Sequence, residues 1–244
     1  MDTNSGRYDG GGEAMVRRLV ITVDGPAGSG KSTVSRILAE RLDYMYLDTG
    51  LLYRAVAWLA MQRGVFITDD EALGELCGGI TIPLATGGEM RVLVEGKDIS
   101  GDLRTEEIGM LASSVSAIPA VRKALLPLQQ GAGRKGGIVA EGRDMGTVVF
   151  PDADVKFFLD ADVDERARRR HLQLVEGGKN ADRNEVKRGL ERRDHQDTTR
   201  EIAPLKPAVD SVVIDTTGID IEGVVEEMAM IVEERAQGGG GQVR

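Results

Sequence analysis

Residues 25–32 read Gly25-Pro26-Ala27-Gly28-Ser29-Gly30-Lys31-Ser32 and match the spacing G-x-x-x-x-G-K-[ST]. An apolar strand pattern at 19–23 precedes them, and a helical pattern from about 31 to 41 follows. The glycines let backbone N–H groups turn inward around a phosphate, and the helix adds the positive end of its dipole. The stretch therefore predicts a phosphate loop (P-loop) that binds a nucleoside triphosphate through Gly25, Pro26, Ala27, Gly28, Ser29, Gly30, Lys31, Ser32 and Thr33.

Strand-like and helix-like segments alternate on both sides of this loop. The pattern predicts strands at about 44–47, 138–140 and 211–215 and within ADVKFFLDAD, and helices at about 50–62, 105–130, 163–193 and 221–235. Such alternation is typical of a parallel sheet that is covered by helices on both faces. The predicted fold class is therefore α/β, a three-layer P-loop NTPase fold with a parallel sheet.

Residues 80–100 differ from this pattern. They contain two short apolar segments, ITIPLA and MRVLVEG, which are separated by TGGE. Short strands around a Gly-containing turn predict a β-hairpin. We expect a small antiparallel insertion on the rim of the main sheet.

Bulk properties limit the class of protein. The 244 residues suffice for one α/β core with a small inserted subdomain, and no apolar run is long enough to span a bilayer. The N-terminal residues lack the apolar segment of a secretory signal, and the single cysteine, Cys77, cannot form an internal disulfide. We therefore expect a cytoplasmic protein. Residues 1–16 and 237–244 are Gly-rich and polar, which predicts a disordered N-terminal tail and a flexible C-terminal tail around one domain at 17–236.

The net charge of −9 argues against binding to nucleic acid or to anionic membranes. Residues 166–200 depart from this balance, with 11 Lys and Arg against 6 Asp and Glu. This excess fits either a solvated helical surface or a site for a small polyanion such as a nucleotide.

Three classes of P-loop protein remain: a regulatory GTPase, a motor-type ATPase and a small-molecule kinase. The sequence contains no guanine-reading N-K-x-D segment. The predicted strand at 138–140 ends in Glu141-Gly142-Arg143-Asp144, where an arginine stands beside the acids. Because an arginine at this place suits an anionic acceptor, a small-molecule kinase is favoured.

Five segments carry a more specific pattern: VDGPAGSGKST, YLDTGLLYRAVA, DISGDLRTEEI, AEGRDMGTVVFPDADVKFFLDA and RDHQDTTREIAPL. From about Leu19 to Arg235 the chain resembles the bacterial-type cytidylate kinases of the P-loop nucleoside monophosphate kinase superfamily. The resemblance implies transfer of the γ-phosphate of ATP to CMP or dCMP, giving CDP or dCDP and ADP in pyrimidine metabolism. It also implies a monomer, an acceptor-binding insertion at about 63–115 that contains the predicted hairpin, and an Arg-rich helical lid at about 163–195.

The same resemblance implies roles for individual residues. The catalytic residues would be Lys31, Arg143, Arg166 and Arg170, the last two as lid arginines that face the transferred phosphate, with Arg169 beside them. The CMP-binding residues would be Thr49, Arg54, Ser113, Arg122, Arg143, Asp144, Arg193, Asp197 and Arg200. Arg54, Arg143 and Arg200 would hold the acceptor phosphate. Arg193 and Asp197 would contact the sugar, and Ser113, Arg122 and Asp144 would read the cytosine ring. Gln196 departs from the family, in which some members carry arginine.

The donor is expected to bind with Mg²⁺, which the Ser32 hydroxyl would ligate, with Asp24 and Glu141 as candidates for holding metal-bound water. Two alternatives stay open. The chain could phosphorylate another small acceptor, such as UMP or shikimate, or it could be a nucleotide-binding regulatory module without turnover.

Overall fold

The computed structural model describes residues 17–83 and 90–238. Its strands are β1 (Val20–Asp24), β2 (Met45–Asp48), β3 (Ile80–Thr81), β4 (Leu93–Val94), β5 (Lys97–Asp98), β6 (Ile138–Gly142), β7 (Val155–Asp160) and β8 (Val212–Asp215). Five of them form a parallel sheet in the order β2-β6-β1-β7-β8. The P-loop strand β1 therefore lies at the centre, and the strand order reverses beside it.

The helices are α1 (Lys31–Leu42), α2 (Thr49–Arg63), α3 (Asp70–Leu76), α4 (Glu106–Val115), α5 (Pro119–Gly133), α6 (Val163–Glu176), α7 (Arg183–Thr199) and α8 (Ile221–Gly238). The single helical stretch predicted at 105–130 is two helices. Ile118 precedes a proline and is extended, and Pro119 opens α5, where its missing N–H costs no hydrogen bond. Helix α3 was not predicted from the sequence.

Side chains of β6 alternate between two apolar clusters. Ile138 and Ala140 pack in a cluster with residues of α2 and α5, whereas Val139 packs in a second cluster with residues of α1 and α8. Successive residues of a strand point to opposite faces, so these clusters cover the two sides of the sheet. The three-layer α/β fold is confirmed.

A second, antiparallel sheet has the strand order β3-β4-β5 and lies in the segment where the insertion was predicted. The proposed TGGE turn lies at 86–89, outside the described residues. Of the predicted tails, 1–16 and 239–244 are also outside them, and α8 extends to Gly238, two residues past the predicted boundary. Across the described part of the chain, no helix combines the length and apolar character needed to cross a membrane.

Candidate active site

A cleft of about 1010 Å³ opens at the carboxyl ends of the parallel strands. It is lined by the P-loop, the start of α2, the end of β6 and the facing surfaces of α4, α6 and α7. Nine arginines and Lys31 line the cleft, against seven Asp and Glu residues. A cleft with a positive balance in a chain of net charge −9 favours an anionic ligand. Its place beside the reversal of strand order is where open α/β sheets bind ligands.

The P-loop connects β1 to α1 through left-handed glycines. Gly28 and Gly30 have φ values of 81° and 90°, a region that residues with a Cβ rarely adopt. A Cβ on Gly25 would lie 2.1 Å from the Leu159 carbonyl oxygen, so only glycine fits against β7. Lys31 Nζ donates to Pro26 O at 3.0 Å. Burial, with Arg143 nearby, lowers the pKa of Lys31 to about 7, and phosphate oxygens at this place would favour its charged form.

A carboxylate pair faces the first turn of α1. Ser32 Oγ donates to Glu141 Oε2 at 2.9 Å, and the Tyr46 hydroxyl donates to Glu141 Oε1. Asp48 ends β2 opposite Glu141 in the sheet register, and both residues line the cleft. Burial and the charge of Asp48 raise the pKa of Glu141 to about 7. A buried carboxylate, Glu141, and a partly buried one, Asp48, beside a hydroxyl form a donor set that suits a hydrated divalent cation next to phosphates.

Four guanidinium groups converge between the P-loop and α7. Burial and the charge of Arg143 lower the pKa of Arg193 to about 10, and Arg54 and Arg170 act in the same direction. Arg143 Nε donates to Asp197 Oδ2 at 2.7 Å, while Arg54 Nη1 donates to Leu103 O at 3.0 Å. Because like charges at short range raise one another's energy, this cluster would be stabilised by a bound anion.

A buried ion pair forms the floor of the cleft between α5 and the end of β6. Arg122 and Asp144 are 9% and 2% exposed, and Arg122 Nη2 donates to Asp144 Oδ2. Arg122 Nη1 also donates to Ser116 O at 3.0 Å, and its guanidinium lies 5.7 Å from the Tyr53 ring centroid. Arg200 lies on the other side of the pair, with Nη2 3.6 Å from Asp144 Oδ1. The floor thus presents a donor and an acceptor side by side.

Helices α4 and α7 meet across the cleft mouth. Ser113 Oγ donates to Gln196 Oε1 at 3.3 Å. Ser113 lines the cleft, whereas the neighbouring Ser114 does not. Gln196 therefore contacts a residue expected to read the base.

The family model described as cytidylate kinase matches residues 21–234. The chain is 51% identical to a cytidylate kinase of Geobacter sp. (strain M21) over 90% of this chain and 95% of that protein. It is 46% identical to a cytidylate kinase of Streptococcus mutans over 89% and 95% of the two chains. The chain belongs to the cytidylate kinase family. A gluconokinase structure from Sinorhizobium meliloti 1021 shares the fold, with a TM-score of 0.50 at 15% identity over 93% of this chain and 100% of that one.

The cleft collects most of the residues expected from the cytidylate kinase resemblance. Those that line it are Ala27, Gly28, Ser29, Gly30, Lys31, Ser32, Thr33, Thr49, Arg54, Ser113, Arg122, Glu141, Arg143, Asp144, Arg170, Arg193, Asp197 and Arg200. Gly25 and Pro26, the first two residues of the P-loop, do not line the cleft. Thr49 Oγ1 donates to the Glu141 carbonyl oxygen at 2.7 Å. Arg200, expected at the acceptor phosphate, has its Nη2 3.6 Å from Asp144 Oδ1.

Besides Gly25 and Pro26, two expected site residues do not line the cleft. Arg166 was expected to face the transferred phosphate, but its guanidinium donates to the carbonyl oxygens of Ala161 and Ala27 and to Asp194. Asp24 was expected to hold metal-bound water, but its two carboxylate oxygens accept from Met145 N and Gly146 N, each at 2.8 Å. Its carboxylate holds the wide helical turn at 145–149 that follows Asp144.

We expect Asp24→Ala to destabilise the fold, because it leaves two buried N–H groups without acceptors. At about 1–3 kcal/mol for each group, the free energy of unfolding should fall by about 2–6 kcal/mol in urea denaturation followed by circular dichroism. Asp215→Ala is the matched control. Asp215 also ends a strand and accepts from Thr217 N at 2.9 Å, but it is exposed, so its loss should be under about 1 kcal/mol. Equal small losses in both variants would contradict a structural role for Asp24.

Several cleft residues were not predicted from the sequence, among them Asp48, Arg104 and Ser116. Asp48 could have been found, since the carboxyl ends of neighbouring parallel strands meet at one edge and Glu141 was already a candidate. Arg104 lies in the short turn before α4, and Ser116 directly follows α4. Nothing in the local sequence distinguishes Ser116 from a surface residue, whereas Arg104 lies within the family segment DISGDLRTEEI and could have been considered for that reason.

Proposed function

We propose that this protein is an ATP-dependent cytidylate kinase that transfers the γ-phosphate of ATP to CMP or dCMP. The supporting observation is the position of the arginine cluster. Arg54, Arg143, Arg170 and Arg193 lie between a P-loop, where a triphosphate would end, and the Arg122–Asp144 pair, where a base would sit. A nucleoside monophosphate bound in this direction would present its phosphate to the donor.

The arrangement needs no general base. The acceptor is already a phosphate oxyanion, so the protein has to align the two phosphates and neutralise charge around a loose transition state. We assign charge neutralisation to Lys31, Arg143 and Arg170 and binding of the acceptor phosphate to Arg54 and Arg143. Arg193 and Asp197 would hold the sugar, and closure of α6 and α7 would exclude water.

Mg²⁺ would be held by Ser32 with Glu141 and Asp48 acting through bound water. These side chains fit the ion, because it favours oxygen ligands and retains several waters beside substrate phosphates. The metal would supply positive charge to the phosphate oxygens. We further propose that the enzyme acts as a cytoplasmic monomer, because residues of one chain supply the P-loop, the arginine cluster and the base-facing pair.

An assay of ADP release with a panel of acceptors tests this function. We expect turnover with CMP and dCMP, little with UMP and none with shikimate. Faster turnover with UMP or shikimate would assign the chain to another small-acceptor kinase. ATP binding without release of ADP for any acceptor would favour a regulatory module.

We expect Arg54→Ala to impair use of the acceptor. Loss of a charge-assisted contact of about 1.5–3 kcal/mol should lower kcat/KM for CMP roughly 10- to 100-fold, while ATP binding without acceptor should hardly change. Arg63→Ala is the control, because Arg63 ends the same helix, is half exposed and pairs with Glu95. An equal loss of ATP affinity in Arg54→Ala would place Arg54 on the donor side. Arg143→Ala should behave as Arg54→Ala does.

A further inference from the structure

Arg166 lies where three parts of the fold meet. Its Nε donates to Ala161 O at 2.9 Å, and its Nη1 donates to Ala27 O at 3.1 Å and to Asp194 Oδ2 at 2.6 Å. Ala27 belongs to the P-loop, Arg166 to the first turn of α6 and Asp194 to α7. One side chain, 8% exposed, therefore connects the donor loop to both lid helices.

The junction around Arg166 is also closely packed. A Cβ on Gly28 would lie 3.1 Å from Arg166 Cβ, so the P-loop lies directly against α6. Ala27, Ala167 and Leu190 form a small buried apolar cluster at the same place. Close packing transmits a displacement of one element to its neighbours.

Helix α7 carries two residues of the proposed acceptor site. Arg193 directly precedes Asp194 and is partly buried, and Asp197, which is buried and lies nearly one turn later, pairs with Arg143 at 2.7 Å. The position of α7 relative to the P-loop therefore decides where these two groups stand. Asp194 Oδ1 is buried and has no hydrogen-bond partner within the described residues, so the described contact of this carboxylate is with Arg166.

We propose that Arg166 and Asp194 are positioning residues that hold α7, and with it Arg193 and Asp197, in place against the P-loop. The expected effect on CMP turnover rests on the proposed function. The mechanical link, by which Arg166 and Asp194 connect α7 to the P-loop, does not. Asp194 touches neither Ala27 nor Ala161 in the described contacts, so we expect Arg166 to keep its bonds to Ala27 O and Ala161 O when Asp194 is changed. Loss of Asp194 should thus disturb the acceptor side and spare the donor loop.

A double-mutant cycle of Asp194→Asn, Arg166→Met and the double variant tests whether Asp194 acts through Arg166. Asp194→Asn should lower kcat/KM for CMP roughly 3- to 30-fold, and on the Arg166→Met background it should have no further effect. The Kd for ATP without acceptor should stay unchanged in Asp194→Asn. Full additivity of the two changes, or an equal loss of ATP affinity in Asp194→Asn, would overturn the proposal.

Asp164→Asn is the matched control. Asp164 on α6 pairs with Lys187 on α7 at 2.7 Å, which is a second α6–α7 ion pair, but Asp164 is 59% exposed and neither residue lines the cleft. Its substitution should leave kcat/KM for CMP unchanged.

Hydrogen exchange of α7 backbone amides supplies a readout that needs no turnover. Exchange around 190–199 should be faster in Asp194→Asn than in Asp164→Asn, with and without a non-hydrolysable ATP analogue. Equal exchange in both variants would overturn the mechanical link. If the parent fails to phosphorylate CMP but the exchange difference is present, the proposed function fails and the link stands.

Discussion

Lys31→Met is expected to abolish most phosphoryl transfer while leaving the protein folded. Methionine fills a similar volume but removes the positive charge that would reach the β- and γ-phosphates. Loss of one preorganised electrostatic contact typically lowers kcat by about 100- to 1000-fold, and we expect at least that loss here. The melting temperature should not fall, because Lys31 is 7% exposed and its burial already disfavours the charge.

Lys156→Met is the matched control for Lys31→Met. Lys156 is also 7% exposed, but it lies on β7, pairs with Asp210 at 2.9 Å and does not line the cleft. Its substitution should change stability little, because Asp210 is 64% exposed and stays hydrated without its partner, and it should spare kcat of the folded enzyme. Turnover of Lys31→Met within about tenfold of the parent would contradict the P-loop assignment.

The second large effect concerns base choice. Cytosine presents an N4 amine donor beside an N3 acceptor, whereas uracil presents an O4 acceptor beside an N3–H donor. The Asp144 carboxylate can accept from the amine, and the Arg122 guanidinium can donate to N3. Against uracil, the carboxylate would face an oxygen and the guanidinium would face a hydrogen. Two mispaired contacts of about 1–3 kcal/mol each predict a roughly 30-fold to 25,000-fold preference for CMP over UMP in kcat/KM.

Asp144→Ala should lower kcat/KM for CMP strongly and kcat/KM for UMP less. The ratio of the two values, CMP over UMP, should therefore fall. Since this change leaves the buried Arg122 without its carboxylate partner, Asp144→Asn is the companion variant: it keeps the size of the side chain and can donate to uracil O4. Measuring the ratio in one protein preparation removes the effect of any loss of folded enzyme. A parent that phosphorylates UMP as well as CMP, or an unchanged ratio in both variants, would refute this role of Asp144.

The spacing of glycines and apolar residues along the chain was enough to predict the P-loop and most of the main sheet. The sequence pattern placed β1, α1 and the strand at β6 within two residues of their observed bounds. These features depend on glycine conformation and on side-chain periodicity, both of which are local. Helix α3 was missed because seven residues are too few for a clear helical period, and its start depends on the Asp69 side chain, which accepts from Ala72 N.

The amino-acid sequence by itself determined the P-loop, the α/β class and, through its five family segments, the residues expected around two nucleotides. The tertiary structure decided which charged side chains face the cleft and which serve the scaffold. Asp24 and Arg166 carry the same chemical groups as Asp48 and Arg170, yet the first two are hydrogen-bonded to backbone atoms and do not line the cleft, whereas the last two line it. Sequence specifies the reach and charge of such a group. Its partner is whichever distant backbone or side chain the packed elements bring within hydrogen-bond distance.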